Sequence, residues 1–277
     1  MKPQSPFEIS NREAVSRRMT ILIWGPAGDG KTTLAATAPG HKLWLSFGDN
    51  EHQSVIERGD VSVMHLYKHS YEEVLKHGRS TNPFGLDHIL ADDTSIETVV
   101  CDSTTALTDM ALRSSVAQGL GSSKDFRPSM EHPGMSAYGG RNAITLEVLT
   151  NLLRVTAKHD VHFIMTAHEA DPEKDKEGIV MFITIMLGGK LVNNVTWRLS
   201  EIWYLSQDTQ GRQLAIRPTR KRKPMKSRMF TGTGPPEFTL AYDSNKPDEG
   251  QMTIAGFYKQ WCKAESKLSI PKSRRDK

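Results

Sequence analysis

Short apolar runs alternate with amphipathic segments along most of the chain. Strand-like apolar runs occur at 20–24, 42–47, 61–67, 98–103 and 162–169. Segments with apolar residues at every third or fourth position, which predict helices, occur at 71–78, 104–116 and 141–159. Apolar strands that alternate with helices form parallel sheets covered on both faces. We therefore predict an α/β fold with a mostly parallel sheet and helices on both faces.

The last third of the chain shows a different pattern. Apolar runs at 179–187, 199–205 and 212–218 are separated by polar turns. This pattern predicts a C-terminal β-hairpin extension rather than further strand-helix-strand units. Segment 119–140 is rich in glycine and has no periodicity, so we predict a long loop there.

The length of 277 residues fits one domain with small terminal additions. We assign the domain to 18–262, with an N-terminal arm at 1–17 and a flexible basic tail at 263–277. The arm is expected either to dock on a neighbouring subunit by strand addition or to be disordered. The chain shows no signal-peptide or membrane-span pattern. We therefore expect a cytoplasmic protein without a membrane partner.

Residues 25–32, GPAGDGKT, follow the first predicted strand and precede the first predicted helix. They fit the phosphate-binding pattern GxxxxGK(S/T) in the context that this motif requires. Such a loop turns backbone N–H groups toward phosphates, while Lys31 neutralises phosphate oxygens and Thr32 offers a hydroxyl to Mg²⁺. ATP and Mg²⁺ are therefore the expected ligands. The predicted nucleotide contacts are Gly25, Pro26, Ala27, Gly28, Asp29, Gly30, Lys31, Thr32 and Thr33.

An acid stands at the end of the apolar strand near residue 100. Asp102 is followed by Ser103 and not by a glutamate. We predict that Asp102 belongs to the nucleotide site and, together with Thr32, orients Mg²⁺. Because no second acid follows Asp102, the base that activates the attacking water is expected from another segment of the chain.

Two further segments resemble the RecA family of ATPases. TVVCDSTTALTD at 98–109 is similar to a RecA strand that ends in Asp-Ser, and GDNEH at 48–52 resembles its Asp-x-Glu-His. The resemblance implies a RecA-like core in which Glu51 polarises the attacking water, with Asp49 as the alternative. An exposed acidic turn without a catalytic role is the competing interpretation.

The segment FIMTAHE at 163–169 carries a further resemblance. In RecA-like proteins the corresponding strand ends in a polar residue that contacts the γ-phosphate, and this position is His168 here. RecA has glutamine there, whereas the ending is similar to that of short phage ATPases, the Sak-type single-strand-annealing proteins. A strand-end histidine without a ligand is the alternative.

The segment 216–230 contains seven basic residues and no acid. The part MKSRM at 225–229 resembles the Lys-x-Arg of phage ATPases of this kind, which implies that Lys226 and Arg228 reach a neighbouring subunit's γ-phosphate. The denser part is predicted to contact a nucleic-acid backbone. A solvated edge strand and, less favoured, a nuclear-localisation signal are alternatives. The predicted DNA contacts in this part are Arg217, Arg220, Lys221, Arg222 and Lys223.

The loop at 119–140 is a second candidate for nucleic-acid binding. It combines the cations Lys124 and Arg127 with the aromatic residues Phe126 and Tyr138, which could stack on bases. A plain surface loop is the alternative. The acidic segment 169–178 is poorly suited to phosphate and is predicted to be structural.

Together these features predict an ATPase, stimulated by single-stranded DNA, that works in phage recombination or annealing. The nucleotide sites are expected at the interfaces of a homo-oligomer, either a ring or a filament, and a single-strand-binding or other recombination protein is a further expected partner. The alternatives are a P-loop small-molecule kinase and a non-hydrolysing ATP-dependent replication adaptor or loader. A helicase-like motor is less favoured because the chain offers no second motor domain.

Overall fold

The computed structural model describes residues 18–123, 126–209, 211–230, 237–240 and 252–266, with backbone only for 264–266. The predicted N-terminal arm, Lys124 and residues 267–277 of the predicted tail lie outside the described residues. Within the described ranges, no helix is long and apolar enough to span a membrane.

The strands and helices of the described residues follow in chain order. The strands are β1 (Thr20–Gly25), β2 (His41–Ser46), β3 (Val61–His65), β4 (Ile96–Asp102), β5 (His162–His168), β6 (Glu173–Lys174), β7 (Val180–Phe182), β8 (Glu201–Asp208), β9 (Gly211–Ala215) and β10 (Glu237–Thr239). The helices are α1 (Lys31–Ala35), α2 (Tyr71–Gly78), α3 (Leu86–Asp92), α4 (Thr104–Ala117), α5 (Gly134–Lys158), α6 (Lys190–Thr196) and α7 (Ile254–Ser266).

Eight strands form one sheet in the order β10-β9-β8-β1-β5-β4-β2-β3. The six strands from β8 to β3 are parallel, whereas β9 and β10 add antiparallel pairs at one edge. The predicted α/β class, with a mostly parallel sheet and antiparallel strands near the C-terminus, is confirmed. Because parallel strands end at the same edge, the segments after β1, β2, β4 and β5 meet there.

Helices cover both faces of the sheet, as predicted. Successive residues of a strand face opposite sides, and β1 shows this directly. Leu22 and Trp24 pack in a core with residues of α2 to α6. Ile21 and Ile23 pack in a second core with residues of α1 and α7.

The predicted loop at 119–140 is wrong from residue 134 onward. The helix expected at 141–159 begins at Gly134 and ends at Lys158. Gly140 lies where α5 meets the segment after α4, and a Cβ there would lie 2.4 Å from Leu120 Cδ1 and 2.7 Å from Ser115 Oγ. This glycine permits close packing inside a helix, although a glycine-rich sequence is also typical of loops.

The C-terminal region departs from the predicted hairpin extension in two respects. The strand predicted at 179–187 is limited to β7, which pairs with β6 outside the main sheet. The strand predicted at 199–205 is β8, and it pairs in parallel with β1 after the unpredicted helix α6. The antiparallel hairpin therefore begins only at β8 and β9. Helix α7 crosses the predicted domain boundary at residue 262.

Candidate nucleotide-binding site

The phosphate-binding loop lies between β1 and α1, at the carboxyl edge of the parallel strands. Gly28 and Gly30 have φ values of 85° and 90°, which glycine adopts without a steric penalty. A Cβ at Gly25 would lie 1.9 Å from the carbonyl oxygen of Leu205 on β8. The backbone of the loop therefore requires glycine at these three positions.

Lys31 is buried in the loop that it belongs to, with an exposed fraction of 6%. Its Nζ donates to the carbonyl oxygens of Gly25 at 3.1 Å and Pro26 at 2.5 Å. Burial lowers the pKa of Lys31, while nearby Asp29 and Asp102 offset part of this effect. An ammonium group has three N–H donors, so Lys31 can offer a donor to an anion at the loop.

Asp102 ends β4 and is 2% exposed. Its Oδ2 accepts hydrogen bonds from Thr32 Oγ1 at 3.0 Å and Trp44 Nε1 at 3.2 Å, and Thr166 Oγ1 donates to Oδ1. Burial and the nearby charge of Glu51 raise the pKa of Asp102 to about 7, although the three hydrogen bonds act in the other direction. A carboxylate in this setting gains stability from a nearby cation.

Glu51 follows β2 and connects that segment to the start of α4. Its Oε2 accepts the backbone N–H of Gly48 at 2.9 Å and of Ser103 at 2.6 Å, and its Oε1 accepts the Ser103 hydroxyl at 2.5 Å. The same hydroxyl caps α4 by accepting the N–H of Ala106 at 3.1 Å. The alternative base, Asp49, is exposed and does not line the cavity described below.

His168 lies beside the phosphate-binding loop, because β5 pairs it with Gly25 of β1. Its backbone N–H donates to Thr105 Oγ1 at 2.9 Å. Its Nδ1 is buried and has no hydrogen-bond partner among the described residues. Burial, and after it the charge of Lys31, lowers the pKa of His168. The imidazole is therefore neutral at pH 7 and has an unused polar atom.

One cavity of about 400 Å³ joins these groups. It brings together the phosphate-binding loop, the segment after β2, the end of β4, the end of β5 and one residue of β9. The lining residues are Gly28, Gly30, Lys31, Thr32, Thr33, Asn50, Glu51, Gln53, Ser54, Asp102, Ser103, Thr166, His168 and Arg212.

The lining residues fit a nucleotide with Mg²⁺. Mg²⁺ prefers oxygen ligands, and the Thr32 hydroxyl and an Asp102 carboxylate oxygen lie 3.0 Å apart at one side of the loop. Gly28 faces open space, since nothing lies within 4 Å of a Cβ placed there. His168 also lines the cavity.

Comparison with known proteins gives a family for this arrangement. The model of a family described as AAA domain matches residues 17–229, which is most of the chain. The chain belongs to the AAA domain family. It is therefore a member of a P-loop nucleotide-binding family, and the match includes every element that contributes to the cavity.

The remaining comparisons add little to this assignment. The AAA-domain protein resembles the KaiC-like protein PH0186 from the hyperthermophilic archaeon Pyrococcus horikoshii OT3, with 11% identity and a TM-score of 0.45 over 82% of this chain and 87% of that chain. No curated protein sequence matches the chain significantly.

Lys226 and Arg228 do not line the chain's own nucleotide cavity. Lys226 pairs with Ile202 near the beginning of β8, and Ile202 lies opposite Leu22 of β1, three residues before the loop starts. The buried carboxylate of Glu201 accepts the backbone N–H of Arg228 at 2.7 Å. The pair therefore lies back toward the amino edge of the sheet, and a role in its own site is not supported.

Two predicted DNA contacts are already engaged within the chain. Arg222 donates to Glu237 Oε1 at 2.8 Å, and its guanidinium lies 4.7 Å from the centre of the Tyr204 ring. Arg217 is half-buried and donates to the carbonyl oxygen of Phe230 at 3.4 Å. Arg222 therefore fastens this segment to the sheet.

The other predicted DNA contacts that the structure describes are on the surface. Arg220, Lys221 and Lys223 are exposed, as is Arg127 in the segment before α5. Phe126 is 39% exposed, and so is Tyr138, which lies on α5 rather than in a loop. Lys124 lies outside the described residues.

Several residues of the site, among them Thr166, Trp44 and Arg212, were not predicted from the sequence. Thr166 could have been found, because it lies two residues before His168 and therefore on the same side of β5. Trp44 gives no local signal, since an indole in an apolar strand normally indicates core. Arg212 lies on β9, far along the chain from the loop, and only the fold brings it to the cavity.

Proposed function

We propose that this AAA-domain protein binds and hydrolyses ATP with Mg²⁺, in an assembly of like subunits that acts on single-stranded DNA during phage recombination or annealing. One observation carries the proposal: a glycine loop with its lysine, a hydroxyl-carboxylate pair, a second carboxylate and an unpartnered imidazole line one cavity. The loop with its lysine, the Mg²⁺ ligands and a carboxylate that orients water are groups that phosphoryl transfer to water uses.

Glu51 is the general base in this proposal. A carboxylate offers about four lone-pair positions, and two hydrogen bonds occupy Oε2 while one occupies Oε1. Oε1 therefore keeps a position for the attacking water. Because backbone N–H groups and Ser103 already fix the carboxylate, little reorganisation is needed during the reaction.

The other residues of the cavity bind the phosphates and respond to charge. Lys31 offers an N–H to the phosphate oxygens, and Thr32 and Asp102 hold Mg²⁺. Bound Mg²⁺ supplies positive charge to oxygens that become more negative in the transition state. His168 donates a hydrogen bond from its neutral ring to the terminal phosphate and thereby links nucleotide state to the segment that follows β5.

The position of Lys226 and Arg228 supports an assembly. Neither cation lines the cavity of its own subunit, but cations on this surface can neutralise the transferred phosphate of a neighbouring subunit. The carboxylate of Glu201 fixes the backbone that carries Lys226 and Arg228. It accepts hydrogen bonds from Ser227 Oγ and from the N–H groups of Arg228 and Met229. A fixed turn is suited to an intersubunit contact.

A second cavity supports the DNA component of the proposal. It measures about 640 Å³ and includes Arg141 and Lys223 in its lining, together with Met186. The N–H of Met186 donates to the carbonyl oxygen of His168 at 2.8 Å, so this surface adjoins the nucleotide site. Arg141 also lies 4.9 Å from the centre of the exposed Tyr138 ring. Cations beside an aromatic ring suit a single strand.

The test is the ATP hydrolysis rate per subunit, measured against protein concentration with and without single-stranded DNA. We expect the rate to rise with both variables, and the effect of DNA to decline as salt increases, because each phosphate contact contributes about 0.7 to the slope of log K against log salt. Lys31→Ala is the inactive control.

Two outcomes would contradict the proposal. Bound ATP without turnover, at any protein concentration and with DNA present, would favour a non-hydrolysing adaptor. Phosphate transfer to a nucleoside, with no dependence on DNA or protein concentration, would favour a small-molecule kinase.

A further inference from the structure

Arg212 is a cation of the nucleotide cavity for which the sequence motifs give no role. It lies on β9, which forms an antiparallel hairpin with β8. This hairpin lies at the end of the strand order that also contains β10. Among the described lining residues, Lys31 and Arg212 are the lysine and arginine cations, and Glu51 and Asp102 are the acids. Arg212 therefore contributes a substantial part of the positive charge that faces the cavity.

The guanidinium lies directly across the phosphate-binding loop. A Cβ placed on Gly30 would lie 2.7 Å from Arg212 Cζ, 2.8 Å from Nε and 2.9 Å from Nη2. Glycine at position 30 is thus needed for the φ of 90°, and a side chain there would displace the guanidinium of Arg212. A guanidinium at this distance from the loop can reach an anion that the loop binds.

The hairpin that carries Arg212 is fastened to the same loop. The backbone N–H of Gln207, which lies opposite Arg212 in the hairpin, donates to Asp29 Oδ2 at 3.0 Å. The carbonyl oxygen of Arg212 accepts the N–H of Leu240 at 2.7 Å, next to β10. The backbone at Arg212 is therefore held on both sides, and its position relative to the loop is fixed.

The sheet order decides which part of a nucleotide Arg212 faces. Strand β9 lies on one side of β1, whereas β4 and β2, which carry Asp102 and lead to Glu51, lie on the other side. The phosphate that reacts with water must lie near Glu51 and the Mg²⁺ ligands. With Glu51 as the base, Arg212 would therefore face the phosphates that remain on the nucleotide after hydrolysis.

We propose that Arg212 binds the non-transferred phosphates of the nucleotide within its own subunit, so that ATP and ADP are held equally. This inference rests on the proposed nucleotide-binding function. The planar guanidinium can donate two parallel hydrogen bonds to phosphate oxygens, which a lysine cannot reproduce. Because these phosphates are not transferred, Arg212 binds them equally in the substrate complex and in the transition state, which affects affinity and leaves the maximal rate unchanged.

The experiment compares Mg²⁺·ADP and Mg²⁺·ATP affinity, by calorimetric titration, for the full-length wild type and for Arg212→Gln. We expect both affinities to fall by about the same factor, roughly tenfold or more, as charge-assisted hydrogen bonds imply. The rate at saturating ATP should stay within about threefold of the wild type. Arg113→Gln, which removes an exposed charge on α4 outside the cavity, is the matched control and should leave both affinities unchanged.

The opposite results overturn the inference. Arg212 has another role if folded Arg212→Gln binds Mg²⁺·ADP within about twofold of the wild type. The same conclusion follows if the variant loses much of its maximal rate while its ADP affinity is retained. Arg212→Lys decides by the same ADP criterion if the glutamine variant does not fold. A wild-type protein that binds neither nucleotide contradicts the proposed function itself, which the first titration separates from a failure of this inference.

Discussion

Removal of the Glu201 carboxylate is predicted to destabilise the protein strongly. Glu201 is 1% exposed. Its Oε1 accepts the N–H groups of Arg228 at 2.7 Å and Met229 at 3.1 Å, and its Oε2 accepts Trp203 Nε1 at 2.9 Å and Ser227 Oγ at 2.5 Å. Burial raises the pKa of Glu201, and the hydrogen bonds offset part of this shift. The carboxylate thus accepts hydrogen bonds from four donors.

The size of the effect follows from the donors that lose their acceptor. Glu201→Ala leaves two backbone N–H groups, an indole N–H and a hydroxyl without the carboxylate. A buried donor that loses its acceptor costs about 1–3 kcal/mol, so for this group of donors we expect a loss of at least about 3 kcal/mol. Glu201→Gln keeps one carbonyl oxygen for the two backbone N–H groups but turns an amide toward the Trp203 indole. We expect about 1–3 kcal/mol for that variant.

Urea unfolding followed by circular dichroism measures both variants. Glu147→Ala is the matched control, because Glu147 forms an exposed ion pair with Arg79 at 2.6 Å, and exposed pairs contribute about 0–1 kcal/mol. If Glu201→Ala stays within about 1 kcal/mol of the wild type, or is as stable as Glu201→Gln, this carboxylate does not organise the turn.

Three further predictions concern the site and its surroundings. Ser103→Ala removes the hydroxyl that caps α4 and that donates to Glu51. We expect the free energy of unfolding to fall by about 1 kcal/mol, and turnover to fall while ATP affinity is retained. Unchanged turnover would contradict the role of Ser103 in orienting Glu51. For Asp60, burial would raise the pKa, but hydrogen bonds from Arg58 and Lys42 outweigh burial and lower the pKa from 3.8 to about 2. The wild-type carboxylate therefore stabilises the fold above pH 3.8, and its stability advantage over Asp60→Asn should shrink below pH 3.8 and be lost as pH falls through about 2; an advantage at pH 2 as large as at pH 7 would oppose this. Subunits with Lys226→Ala, mixed with Glu51→Gln subunits, should recover some turnover, since some interfaces then have both groups; a confirmed mixed oligomer without recovery would count against action in trans.

The sequence predicts the site where its groups lie in short, continuous segments. The glycine loop between β1 and α1 and the acid at the end of β4 are local patterns, and the parallel order of strands brings them to one edge. The segment 48–52 places Glu51 only by resemblance, and the structure adds the reason for its orientation, which is the hydrogen bonding to Ser103. The fold class follows from the same alternation of strands and helices.

The errors arise where tertiary packing outweighs a local pattern. The glycines at 134, 139 and 140 suggest a loop, yet they lie in α5. At Gly140 the side chains of Leu120 and Ser115 pack so close to the helix that a Cβ would collide with them. The apolar run 179–187 suggests one strand, but the residues after β7 make other backbone hydrogen bonds. Met186 donates to His168 at the end of β5, and Ile183 donates to Lys221 in the basic segment 216–230. Arg212 has no local signal, because its distance from Gly30 depends on the β8–β9 hairpin.

The most direct test of the proposed hydrolytic site compares ATP affinity and turnover between the wild type and Glu51→Gln. Both are measured at a protein concentration at which the proposed assembly forms. We predict that Mg²⁺·ATP affinity stays within about threefold of the wild type while turnover falls by at least about 100-fold, because the variant keeps the phosphate contacts and loses the general base. Turnover close to that of the wild type in Glu51→Gln would contradict the assignment of the base and, with it, the proposed hydrolytic site.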